Sequence, residues 1–147
     1  MNNSYRDKAI KLLHDTEATF VYVGRDEVIT SDLTGIKRLL ALADENRNLS
    51  EGFAADRIVG KAAAMLMLLC GVQSIYADTL SKPAYDVFSA HGVKVLFRKL
   101  VPVIINRRGD GLCPMEKAVL DIDDPEKAYE TLLATVRRMS AANAKNA

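Results

Sequence analysis

The chain of 147 residues reads as an α/β domain, a three-layer sandwich built around a mixed sheet. Three observations predict this. β-rich runs alternate with helical periodicities along the chain. A strand–helix–strand unit spans residues 73–98, and a crossover of that kind makes two strands parallel. Earlier, "ATFVYV" and "EVITS" flank "GRD", a spacing that predicts a hairpin and therefore an antiparallel pair.

The elements follow in order. Residues 4–16 are predicted helical, with Ala9, Ile10, Leu12 and Leu13 on the apolar side. The hairpin comes next. "TGIKRLLALADENRNL" places Ile36, Leu39, Leu40 and Ala43 at helical spacing and is polar elsewhere, so it predicts an amphipathic surface helix. "GFAADRIVGKAAAMLMLLCG" reads as a long buried helix. Asp56 is its expected N-cap and Gly71 its stop, with Arg57, Gly60 and Lys61 at its head. "VQSIYA" is a strand. "LSKPAYDVFSAHG" is a helix with Ser81 as cap, Pro83 in the first turn and Gly92 after the end. "VKVLFRKL" and "VPVIINR" are strands joined to the turn "RGDG". "CPMEKAVL" is a short helix with Pro114 at its first position. "DDPEKAYETLLATVRRM" is the final helix, closed near Arg137 and Arg138. The domain is expected over 1–139, with "SAANAKNA", 140–147, as a flexible tail.

Composition narrows the function classes. Nearly half the residues are apolar, and the formal net charge is +1. A general nucleic-acid binder carries a basic excess, so that class is not expected. The longest apolar run, Ala62–Cys70, falls well short of the ~20 residues of a membrane span. Two cysteines and the absence of an apolar leader in "MNNSYRDKAIKLL" predict a reducing, cytoplasmic setting.

Ligands of open α/β sheets gather beyond the carboxyl ends of the strands, where helices begin. The candidate chemistry is sought there. As a helix, the 52–71 stretch places Arg57, Lys61, Ala64 and Leu68 within ~80° of one another. Cations at a helix N-terminus oppose the macrodipole, and a bound anion reconciles the two. Gly60 is costly inside a helix, by roughly 1 kcal/mol relative to alanine, which suggests close backbone approach. The alternative is that Asp56 caps the helix and pairs with Arg57 or Lys61, leaving Gly60 as a packing glycine. "GK" is not a phosphate loop. Ala55 stands where that motif needs glycine, and Ala62 where it needs Ser or Thr.

Cys113 is placed at the N-cap of the short helix, with Glu116 three residues on. A thiol there is favoured as thiolate, and Glu116 suits a capping box or an acid/base role. The plain alternative is a half-buried cysteine beside a capping glutamate. Cys70 lies deep in the buried helix and belongs to the core. Ser81 and Lys82 open another helix, where capping explains Ser81 as well as ligand binding does. Asn106, at a strand end before Arg107 and Arg108, is placed to line a cleft. His14 and His91 have no partner at metal-ligand spacing, and no CxxC or HxxxH occurs, so no metal and no cofactor are expected.

"ADRIVGKAAAMLML", "GVQSIYADTLSKPAYDVFSAHGVKV" and "LVPVIINRRGDGLCPMEKAVLDIDDPEKAY" resemble a bacterial and archaeal family known as domain of unknown function 1893. The resemblance covers residues 5–139, with "DRIVGKAA" and "CPMEKAV" as its specific parts. It implies a cytidine deaminase-like fold. Zinc deaminases carry His or Cys followed by Ala-Glu at the first core helix, and Pro-Cys-x-x-Cys at the second. Here Lys61 falls near the ligand position and Ala63 where the catalytic glutamate belongs, and "SKPAYD" contains no cysteine. Zinc-dependent deamination is therefore not expected.

Two readings stay open. One is an enzyme acting on a small anionic or nucleotide-like ligand, with Cys113 as nucleophile, Glu116 as acid/base and Lys61 as anion holder or desolvated amine. In that reading Asp56, Arg57, Gly60, Lys61, Ser81 and Asn106 bind the ligand. The other is a non-catalytic ligand-sensing domain using the same pocket, or a structural homo-oligomer. Either way Asp56, Lys61, Ser81, Cys113 and Glu116 are expected to share one cleft.

Overall fold

The computed structural model describes residues 3–106 and 108–145. Eleven elements follow one another: α1 Asn3–Asp15, β1 Phe20–Val23, β2 Val28–Ser31, α2 Lys37–Asp44, β3 Phe53–Val59, α3 Lys61–Leu69, β4 Ser74–Ser81, α4 Lys82–Ala90, β5 Lys94–Val101, α5 Pro114–Ala118 and α6 Pro125–Lys145. The strands form one mixed sheet in the order β2-β1-β3-β4-β5. β1 pairs antiparallel with both β2 and β3, while β3, β4 and β5 run parallel.

The predicted hairpin is present, and the Gly24 N–H closes it by donating to the Glu27 carbonyl at 2.9 Å. The strand–helix–strand crossover is present as β4–α4–β5. A second one, β3–α3–β4, precedes it, and here the structure differs from the sequence reading, which runs "FAADRIV" into the buried helix. Those seven residues form the central strand instead. Ala54 and Ala55 are small enough to lie between neighbouring strands with helices packed above and below, and both are essentially inaccessible. This tertiary fit overrides the helical propensity of alanine. Asp56 and Arg57 therefore alternate across the sheet and do not share a helical turn.

The helix proper starts at Lys61 with Gly60 as N-cap. It ends at the predicted stop, Gly71, whose φ of +80° is a conformation favouring glycine. Every residue from Lys61 to Met67 is buried. The predicted strand over "VPVIINR" does not form beyond Val101. Pro102 cannot donate to a ladder, and among the described residues of this stretch beyond Val101 only Ile105 makes a bridge, to Leu112. The final helix passes Arg137 and Arg138 and continues to Lys145, so the expected tail is helical over most of its length. Residues 146–147, and Arg107, lie outside the described residues.

Helices cover both faces of the sheet. On one face α1 sets Ala9 and Leu13 against Val21, Val23, Phe53 and Ala55. On the other, α2, α3, α4 and α6 enclose the larger core, which includes Leu42, Met65, Leu66, Ile75, Phe88 and Leu132. α3 is sandwiched between the sheet and α6, which explains why it is apolar on every side. β3 and β4 pass into α3 and α4 with almost no loop, so two helix N-termini stand at one end of the sheet.

Candidate functional site

The N-terminus of α3 is occupied by a carboxylate from the chain itself. The Lys61 N–H donates to Glu116 Oε1 at 2.7 Å, and the Ala62 N–H donates to Oε2 at 2.8 Å. Both bonds are buried and cross more than fifty residues of sequence. The N–H groups expected to meet a bound anion are held instead by Glu116. It does not cap its own short helix, as a capping box would require. Burial raises its pKa, while the two backbone N–H groups and Lys61 favour the ionised form.

Gly60 explains itself here. A Cβ at this position would lie 2.3 Å from Glu116 Oε1 and 2.4 Å from the carboxyl carbon. The glycine makes room for the carboxylate. Lys61, only 7% exposed, sends its ammonium away from the strand end. Nζ donates to the Leu120 carbonyl at 3.0 Å and meets Asp123 Oδ1 at 3.3 Å. It ties α3 to the connection between α5 and α6.

Beside this clamp lies a cavity of about 390 Å³. Asp56, Gly60, Cys113 and Glu116 line it, with Thr19 and Thr34, and its apolar walls are Ile36, Ile58, Ile104 and Met115. It shares Thr34, Gly35, Ile36, Cys113 and Met115 with a neighbouring groove of about 570 Å³. That groove adds Asn106, Lys37, Arg108, Val136 and Met139. Cys113, half-buried, stands at the junction of the two. A larger cavity of about 770 Å³, at the opposite end of the parallel strands, is lined by none of the candidate ligand-binding or catalytic residues.

Asp56 is the unusual titratable group of the cleft. Burial pushes its carboxyl up to about 8. Backbone N–H groups of Arg57 and Ile58 pull the other way, and nearby Asp78 adds a further upward push. The Arg57 N–H donates to Oδ1 at 2.8 Å. Near neutral pH Asp56 therefore retains its proton to a large extent and can donate as well as accept a hydrogen bond.

The remaining expected residues have other tasks. Arg57 lines the cavity, but its guanidinium is committed to α1. Nε donates to the Ala18 carbonyl at 2.8 Å, and Nη2 donates to Leu13 at 2.6 Å and Thr16 at 3.0 Å. It closes the carbonyl end of that helix. Ser81 is fully buried, and its Oγ accepts the Ala84 N–H at 3.1 Å, so it is a helix cap outside the cleft. Asn106 organises the turn after it. Its Oδ1 accepts the Gly109 N–H at 2.8 Å, and its Nδ2 donates to Asp110 at 2.9 Å. The cleft thus unites Asp56, Cys113 and Glu116, and it excludes Ser81 and the Lys61 ammonium.

Sequence reasoning missed a polar cluster on the α1 face. His14 Nε2 lies 2.7 Å from Asp78 Oδ1, and the Tyr76 hydroxyl donates to the same oxygen at 2.6 Å. Arg57 Nη1 stands 3.9 Å from Oδ2. Burial opposes ionisation of Asp78, but the bonds from Tyr76 and His14 hold its pKa below the usual carboxylate value. The available signal was the i, i+2 spacing of Tyr76 and Asp78 in β4. It was lost because the predicted strand stopped at Ala77.

Two outcomes follow. Glu116→Ala is expected to cost about 2–4 kcal/mol in denaturant unfolding, because two buried N–H groups lose their acceptor. Gly60→Ala displaces the same carboxylate. In the double variant its added cost should fall to less than half of its cost alone, a non-additivity that a double-mutant cycle detects. Independent, additive costs would show that the two positions are not coupled.

The second outcome concerns pH. The folded pKa of Asp56, about 8, lies above the ordinary value of 3.8. Between those values the folded state holds a proton that the unfolded chain releases, so stability falls as pH rises through the window and the loss is complete above it. Asp56→Asn removes this dependence. Urea unfolding should show the variant gaining on the wild type by at least about 1 kcal/mol between pH 5 and pH 9. A constant difference would rule out the raised pKa.

Comparison with known proteins agrees with this architecture. The structure resembles that of a DUF1893 family protein (TM1506) from Thermotoga maritima, with a TM-score of 0.84 and 27% identity over 91% of each chain. No curated protein matches the chain. A family model described as TM1506: Domain of unknown function (DUF1893) matches residues 8–135, so the chain belongs to the DUF1893 family.

Proposed function

We propose that this protein binds a small nucleotide-like ligand in the cleft formed by Asp56, Cys113 and the α2 N-terminal turn. The observation that carries this reading is a largely apolar cavity lined by Asp56, whose raised pKa lets it keep a proton, with Arg57 and Glu116 of the same wall already engaged by the chain itself and the cations Lys37 and Arg108 in the adjoining groove. A flat heterocycle fits between Ile36, Ile104 and Met115, with its ring N–H or ring nitrogen on Asp56. An anionic group then lies toward Lys37 and Arg108. It is not seated on the α3 N-terminus, because Glu116 already holds those N–H groups. Cys113 is placed to touch such a ligand where cavity and groove meet, which supports thiol chemistry as the catalytic form of this reading.

The cytidine deaminase-like fold belongs to the same proposal. Its support is the pair of core helices that begin directly after adjacent parallel strands. Zinc chemistry does not fit these residues. Lys61 occupies the ligand region with its amine tied to Leu120 and Asp123, Ala63 replaces the acid, and α4 opens with Ser-Lys-Pro. Among the described residues no group of three His, Cys, Asp or Glu side chains is arranged to hold a metal.

The test is isothermal titration with a panel of nucleosides, nucleotides and inorganic phosphate. A nucleotide should bind more tightly than its nucleoside. Asp56→Ala should weaken both about tenfold or more, the equivalent of one strong polar contact. Arg108→Ala should weaken the nucleotide alone. Cys113→Ser should leave affinity unchanged, and loss of turnover but not of binding in that variant would identify an enzyme. No binding of any panel member at millimolar concentration would overturn the reading.

A further inference from the structure

β5 is an unusual edge strand. It ends the sheet, and among the described residues no element pairs with its outer edge. It is eight residues long with no proline inside, whereas β2, at the opposite edge, has four. Native edges are usually short, bulged or covered. β5 is also apolar on both faces. Leu96, Phe97 and Leu100 are 45%, 40% and 43% exposed. Phe97 packs edge-to-face on Tyr85 of α4, with ring centroids 6.0 Å apart, and Tyr85 is itself exposed. On the other face α1 reaches β1 and β3 and leaves Leu96 open.

The cations Lys94, Arg98 and Lys99 look at first like an edge guard. Their spacing argues otherwise. When two copies of a strand pair antiparallel about a two-fold axis, directly opposed residues share a face of the sheet. Centring that axis on Leu96 sets Lys94 against Arg98 of the second copy. Centring it on Arg98 or Lys99 sets a cation against itself. Centring it on Phe97 opposes Lys94 to Leu100, Val95 to Lys99 and Leu96 to Arg98. No cation then faces a cation, the lysine and arginine stems cover the leucines, and the two Phe97 rings meet flanked by the two Tyr85 rings.

We infer that β5 pairs antiparallel with β5 of a second copy of this chain in the register centred on Phe97, forming a continuous ten-stranded sheet. The cations act as register selectors, since the competing long registers bring like charges together.

Light scattering on the purified protein at tens of micromolar tests this. The wild type should have twice the 16.1 kDa chain mass. Phe97→Lys should be monomeric with an unchanged circular dichroism spectrum, because it places two ammonium groups at the axis. A second measurement does not depend on that variant's folding. In a Cys113→Ser background, Phe97→Cys should oxidise to a covalent dimer, and Val95→Cys should not. A monomeric wild type, a dimer that survives Phe97→Lys, or cross-linking at position 95 in preference to 97 would each overturn the inference.

Discussion

The interaction on which the site depends is the seating of the Glu116 carboxylate on the first two N–H groups of α3. α3 is the most buried helix, so its orphan N–H groups have little access to water. Leaving them unpaired would cost about 1–3 kcal/mol each. A carboxylate supplied from α5 satisfies both and meets the positive end of the helix dipole. That solution fixes the neighbouring choices. Gly60 has no Cβ because the carboxylate occupies the space. Lys61 extends to Leu120 and Asp123, which anchors the segment that carries Glu116. α5 is thereby held against α3, and Cys113 at its start is brought to the edge of the cleft.

The central strand then divides two neighbouring charged residues between separate tasks. Asp56 faces the helical core side and the cleft, where burial raises its pKa. Arg57 faces α1 and closes that helix through three carbonyls. Period-two alternation turns adjacent side chains into a site group and a structural bolt. This is why the ligand reading rests on Asp56 and the outer cations Lys37 and Arg108. The cations beside Asp56 in sequence are already engaged in holding the fold together.

Much of the architecture was legible in the sequence because it is locally encoded. The hairpin around Gly24, the Ser81 cap, the Gly71 stop and Pro114 at the head of α5 are short-range signals, and the structure places them accordingly. β3 was not legible. "FAADRIVGK" has few β-branched residues, and its alanines suit a helix until neighbouring strands are present. The site was legible in part. An anion and a close backbone approach near residues 60–61 could be read, but as a bound ligand at a helix capped by Asp56, whereas α3 starts at Lys61 and takes its carboxylate from the chain itself. The donor could not, because Glu116 lies fifty-five positions away and its local environment suggests only a capping box. The His14–Asp78–Tyr76 cluster was hidden for a similar reason, since nothing local joins His14 to β4.

If Glu116 is the resident anion of α3, removing it should leave a vacant carboxylate site that a small anion can fill. The direct measurement is the stability of Glu116→Ala as a function of added formate, with sodium chloride at equal ionic strength as control. The account predicts saturable stabilisation of the variant by formate beyond the chloride control, following mass action, and none in the wild type. An equal response of the two proteins would contradict it and would mean that the α3 N-terminus is not the anion site on which the rest of the structure has been built.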